Sequence, residues 1–170
     1  RASRGARSDR GGLGASVAPA EREGSGRLAA NGPAVRAVID TNVIAYLILG
    51  TDKFADEARD FMERVTVPLA PAHWEAELAN AIWMSTRSGV LPRSETAKRL
   101  SLARQLGIET VATATLCQGA LLRSLASDVA VYDTLFVELA IQAECRLATF
   151  DKAVLKAFPD TAVRPALFTA

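Results

Sequence analysis

The chain has 170 residues, 49% of them apolar, and a formal net charge of +1. That length holds one domain of ordinary size with a real core, and no apolar run is long enough for a membrane-spanning helix. The near-neutral balance excludes a protein that grips nucleic acid through a strong overall basic field.

Residues 1–34 carry six Arg against Asp9, Glu21 and Glu23, a local +3, which leaves −2 on the remainder. This segment is rich in Gly, Ala, Ser and Arg and has no apolar period, so residues 1–34 are expected to form a disordered extension. It lacks the apolar stretch of a secretory signal. A domain over residues 35–170 follows. Val38 and Ile39 read as a strand, which Asp40 and Thr41 end, and Val43, Ile44, Leu47 and Ile48 then recur at helical spacing. Residues 53–65 form an amphipathic helix with Phe54, Ala58, Phe61, Met62 and Val65 on one side. Residues 67–70 read as a strand. Pro71 leads into a strong helix to about Ser88, with an apolar stripe of Trp74, Leu78, Ala81 and Ile82 and an end at Gly89. His73, the one histidine, stands at that helix start and suits a surface or capping role.

A further helix opens at Pro92 and Ser94 and closes at Gly107, and residues 109–114 are strand-like. Residues 115–127 form a helix expected to bury Leu116, Ala120, Leu121 and Leu125. The helix after Ser127 and Asp128 buries Leu135, Phe136, Leu139 and Ala140. Residues 146–150 are again a short apolar run ending in an acid, Asp151, with a short helix behind it, and residues 161–163 suit a last edge strand. This alternation predicts an α/β fold: a central parallel sheet of four to five strands covered by helices on both faces. Cys117 and Cys145 lack metal-ligand spacing and read as two buried free thiols of a cytoplasmic protein.

Four carboxylates stand out. Asp40 and Asp151 end strands, where ligand sites of open α/β sheets lie. Glu77 and Asp133 sit beside apolar helix faces. Asp40 taken alone supports two readings, a metal ligand and a helix N-cap. Acids on such faces need partners, the sequence offers few basic ones nearby, and a divalent cation would satisfy several acids together.

Asp40-Thr41-Asn42, Glu77-Leu78-Ala79-Asn80, Tyr132-Asp133-Thr134-Leu135 and Thr149-Phe150-Asp151 occur in the order and spacing of the PIN-domain ribonucleases. The chain resembles most the VapC-type toxins of bacterial toxin–antitoxin pairs, over about residues 35–165. The resemblance implies a Mg²⁺- or Mn²⁺-dependent endoribonuclease with Asp40, Glu77, Asp133 and Asp151 as its acidic quartet. The family pattern sets an Asn three residues after the helix acid, so Asn80 selects Glu77 over Glu75. Thr41 and Thr149 are expected to hydrogen-bond the acids or the scissile phosphate, and Asn42 and Asn80 to orient carboxylates. RNA is the implied substrate, and a small VapB-like antitoxin and a second copy of the chain are the implied partners. Scattered cations such as Arg87, Arg93 and Arg123 are available on the substrate side. From a different class, a non-catalytic PIN-like module that binds RNA or a partner remains the alternative. A HAD-type phosphatase needs an acid where this chain has Asn42, and no Gly-rich loop for a nucleoside triphosphate is present.

Overall fold

The computed structural model describes residues 34–50 and 54–169, so the expectation for residues 1–34 lies outside the described residues except at Ala34. In chain order the elements are β1 (Arg36–Ile39), α1 (Thr41–Leu49), α2 (Ala55–Arg64), β2 (Val67–Pro71), α3 (Trp74–Arg87), α4 (Thr96–Arg104), β3 (Glu109–Val111), α5 (Cys117–Ser127), α6 (Val131–Gln142), β4 (Arg146–Ala148), α7 (Lys152–Ala157) and β5 (Ala162–Val163). The five strands form one sheet in the order β3-β2-β1-β4-β5. Every pairing is parallel, with Val38 opposite both Leu69 and Leu147.

β1 is central, and its Ala37, Val38 and Ile39 are fully buried. A strand covered on both faces must be apolar rather than alternating, and the three residues after the exposed Arg36 are. α6 packs over β1, β2 and β4. Its Leu135, Phe136, Leu139 and Ala140 lie in the core with Phe61, Trp74 and Leu78. From β1 the chain winds to one side through β2 and β3, then returns to lay β4 and β5 on the other. The order therefore reverses between β1 and β4, and a crevice opens beyond the carboxyl ends of strands at such a switch point. Asp40 follows β1 there and residues 149–151 follow β4, with the Asp40 N–H donating to the Ala148 carbonyl at 3.0 Å.

Local chemistry starts and stops α1. Asp40 has extended backbone and its side chain accepts from the Asn42 N–H, which satisfies one of the free donors of a helix start. Gly50 ends the helix at φ 66 with its N–H on the Tyr46 carbonyl, a left-handed conformation that glycine adopts without strain.

The structure corrects two expectations about burial. Leu116 and Ala120 are buried, but Leu121 and Leu125 of α5 are 50% and 77% exposed. α5 has apolar residues on two sides and only one side meets α6. Nor are the thiols both buried. Cys117 is exposed at the start of α5, and Cys145 is half-buried in the turn before β4.

The acid in the middle of α6, Glu138, is structural. Its carboxylate accepts from Arg123 at 2.6 Å and from Gln142 at 2.8 Å. A Cβ on Gly119 would collide with it, so glycine permits the close approach of α5 to α6. Arg123 is thereby committed to an ion pair rather than held ready for a substrate.

Candidate active site

The two strand-ending acids both cap helices. Oδ1 of Asp40 accepts from the Asn42 N–H at 3.1 Å. Oδ1 of Asp151 accepts from the N–H groups of Ala153 at 2.7 Å and Val154 at 2.9 Å. The capping reading of Asp40 therefore holds as geometry, yet it accounts for only one oxygen. Oδ2 of Asp40 accepts from the Thr149 hydroxyl at 2.6 Å and from Nδ2 of Asn42 at 2.9 Å. Asn42 Nδ2 also reaches the Thr149 hydroxyl at 3.1 Å, while its Oδ1 accepts from the Phe150 N–H at 3.1 Å. The Thr149 hydroxyl in turn accepts from the Asp151 N–H at 2.9 Å. One polar network thus ties the end of β1 to the end of β4.

Glu77, on the first turns of α3, faces α1. Its Oε2 accepts from the Thr41 hydroxyl at 2.6 Å. Glu75 points elsewhere and pairs with Arg104 at 2.9 Å. Asp133 is in the first turn of α6. Asp40, Thr41, Asn42, Glu77 and Asp133 line one cleft of about 450 Å³, completed by Ala45, Tyr46, Leu49 and Ala81. Asp151 does not line it, although its charge acts on Asp133. Asn80 is exposed on α3 and makes no hydrogen bond to Glu77 among the described residues, so its expected orienting contact is absent. Thr41 occupies that role instead, because α1 rather than α3 itself faces the carboxylate.

Electrostatics in the cleft are unfavourable to the acids. Asp40 is 8% exposed, and burial pushes its carboxyl up from 3.8 to about 7. The Thr149 hydroxyl and Asn42 N–H oppose that rise, while Asp133 and Glu77 add to it. Asp133 is likewise raised, first by burial, then by Asp151 and Glu77, with His73 acting against them. Among the described residues, no Lys or Arg forms an ion pair with Asp40, Glu77, Asp133 or Asp151.

Sequence reasoning missed His73. It stands at the N-cap position of α3, but its side chain makes no capping hydrogen bond and is only 15% exposed. The ring packs against Phe136 and Tyr132 at centroid distances of 5.0 and 5.9 Å, and Nε2 stands 3.5 Å from Oε1 of Glu77. The i, i+4 spacing of His73 and Glu77 could have signalled this pair, since residues at that spacing share a helix face.

The Thr149 hydroxyl is the shortest contact to the most buried acid. Thr149→Val keeps the shape and removes the bond. It is expected to cost about 1–3 kcal/mol, the range for a buried polar group stripped of its partner. Urea denaturation at pH 8 measures it, and an unchanged midpoint would show that Asp40 does not depend on this hydroxyl.

Residues 37–160 match the family model of the PIN domain, and the chain belongs to that family. Among curated proteins it is similar to Ribonuclease VapC3 of Mycobacterium tuberculosis, with 29% identity over 133 residues, 78% of this chain and 95% of that protein. Among solved structures it is similar to PAE2754 from Pyrobaculum aerophilum, at TM-score 0.59 and 16% identity, covering 75% of this chain and 83% of that one. VapBC2 from Rickettsia felis, bound to a DNA fragment from their promoter, matches at TM-score 0.54 and 14% identity, over 76% and 98% of the two chains. A toxin-antitoxin complex from Klebsiella pneumoniae matches at 0.52 and 16% identity, over 76% and 97%. The five-stranded parallel α/β fold agrees with all three. No helix among the described residues is long and apolar enough to cross a membrane.

Proposed function

We propose that the protein is a divalent-metal-dependent endoribonuclease that acts in the cytoplasm as the toxin of a toxin–antitoxin pair, with residues 35–170 as its catalytic unit. The observation that carries this reading is the cleft where Asp40, Glu77 and Asp133 converge without a Lys or Arg partner among the described residues. Repelling, partly buried carboxylates call for a cation. The donors are oxygens, as hard ions such as Mg²⁺ and Mn²⁺ prefer. Membership of the PIN family and similarity to Ribonuclease VapC3 point the chemistry toward RNA.

In this reading Asp40, Glu77 and Asp133 hold Mg²⁺ or Mn²⁺, and Asp151 contributes through the oxygen not used in capping α7. Such ions, when bound, supply an activated water and neutralise charge on the phosphodiester oxygens. Thr149 and Asn42 fix the plane of Asp40, and Thr41 fixes Glu77, so the carboxylates are oriented before substrate arrives. The similarity to a toxin-antitoxin complex and to VapBC2 supports a small antitoxin partner. Exposed Leu121, Leu122 and Leu125 on α5 are apolar surface of the kind that a partner or a second copy covers.

The non-catalytic alternative draws on one observation. Among the described residues, no three Asp, Glu, His or Cys side chains stand together as a ready metal site. Cleavage of RNA that EDTA stops and Mn²⁺ restores separates the two readings. The same assay checks the assignment along α3. Glu77→Ala is expected to lower the cleavage rate at least 100-fold, several kcal/mol in the barrier. Glu75→Ala, which breaks an exposed pair with Arg104, should change it less than about threefold. Equal losses would overturn the choice of Glu77.

A further inference from the structure

His73 is an anomaly of this core. Its side chain is largely buried, yet among the described residues neither ring nitrogen has a hydrogen-bond partner. Buried polar atoms without partners are uncommon in folded proteins and call for a reason. An apolar ring would fill the same space against Phe136 and Tyr132 without stranding two nitrogens. The imidazole is therefore a poor choice for packing alone.

Its surroundings supply the reason. The Thr41 hydroxyl holds Oε2 of Glu77 at 2.6 Å. Nε2 of His73 faces the other oxygen, Oε1, at 3.5 Å, just beyond a direct bond. His73 lies one helical turn before Glu77, so a small rotation of either side chain closes the gap. Thr41 on α1 and His73 at the N-cap of α3 would then hold both carboxylate oxygens and set the plane of the group between them. Glu77 lines the cleft with Asp40 and Asp133, so that plane sets which way its remaining lone pairs point there.

We propose that His73 is a positioning residue. With Thr41 it clamps the Glu77 carboxylate and so sets the protein's affinity for a divalent cation, without touching substrate. This rests on the metal-site reading above. A carboxylate restrained at both oxygens loses less rotamer freedom on binding an ion than one held at a single oxygen. Replacing His73 should weaken binding, and a side chain that restores an N–H donor should recover it.

The experiment is a Mn²⁺ titration of the full chain at pH 8, read by calorimetry and by the rise in melting temperature, for wild type, His73→Phe, His73→Gln and Glu75→Ala. His73→Phe is expected to fold and to bind Mn²⁺ about 10-fold more weakly. His73→Gln should stay within about threefold of wild type, and Glu75→Ala should match wild type. If His73→Phe fails to fold, His73→Met is used in its place with the same expectation. Wild-type affinity in the apolar variant, or equal weakening in His73→Phe and His73→Gln, would overturn the clamp. A wild-type protein that binds no Mn²⁺ would overturn the metal-site reading and the clamp with it, whereas wild-type binding with an unaffected apolar variant would sink the clamp alone.

Discussion

Replacing Asp133 with alanine is expected to lower RNA cleavage by about 10³-fold or more, about 4 kcal/mol in the activation barrier, while leaving the fold as stable as before. Asp133 lines the cleft with Asp40 and Glu77. Unlike that of Asp40, its carboxylate makes no hydrogen bond among the described residues. Its carboxyl is raised by burial and by two neighbouring carboxylates, so the metal-free fold does not favour its charge. Its place in the first turn of α6 returns a few tenths of a kcal/mol through the helix dipole, which relief of repulsion offsets. Function rather than folding therefore carries the cost of the substitution. Single-turnover cleavage at fixed Mn²⁺, with a thermal melt of the same sample in EDTA, checks both halves. A variant with rates within tenfold of wild type would remove Asp133 from the site. A variant that fails to fold would show that the acid is structural.

The second large effect is in pH. In the folded protein without metal, Asp40 keeps its proton up to about pH 7, against an ordinary value of 3.8. Between those values the folded state binds a proton that the unfolded chain has released. Stability is therefore complete below about pH 4, declines as pH rises through the window and is lost above about 7. Asp133 acts in the same direction. For Asp40 alone the loss is on the order of 4 kcal/mol. Glu57, whose carboxyl is lowered by its bond with Arg164, works in the opposite sense, with stability lost as pH falls below its ordinary 4.5. Measurements between pH 5 and 8 therefore lie above the range in which Glu57 acts. In EDTA the melting temperature should fall across that range, and saturating Mn²⁺ should flatten or reverse the slope by favouring the ionised acids. A melting temperature that climbs from pH 5 to pH 8 in EDTA would mean that the buried carboxylate is compensated in a way the cleft geometry does not provide.

Much of this protein is written locally. Strand and helix reveal themselves by period: Val38 and Ile39 before Asp40, the stripe from Trp74 to Ile82, and the apolar run before Asp151. The alternation of such segments commits the chain to a parallel α/β sheet, because parallel strands need covering helices on their faces. An acid at a strand end announces a site for the same reason, since chain direction alone puts it at the carboxyl edge of the sheet. Asp40 and Asp151 were legible in this way, Glu77 and Asp133 as acids beside apolar helix faces, and the spacing of the PIN motifs ordered the four.

What each acid touches was decided by tertiary structure. Thr149 meets Asp40 across 109 positions and Thr41 meets Glu77 across 36, and no local period carries such distances. Asn42 and Asn80 look alike beside their acids, yet only Asn42 joins the network, because β4 passes beside it while Asn80 faces outward. Leu121 and Leu125 have the spacing of core residues and still lie on the surface, since a helix with two apolar sides does not specify which one is covered. His73 reads as a cap and does stand at the N-cap of α3, yet its ring turns inward beside Glu77. The sequence by itself determined the elements, the direction of the sheet and the acids at its edge, since backbone propensity and hydrophobic period act between near neighbours. Only the packed fold decided which hydroxyls and amides hold those acids and how far burial moves their charge, because desolvation and hydrogen bonding depend on groups that meet across the chain.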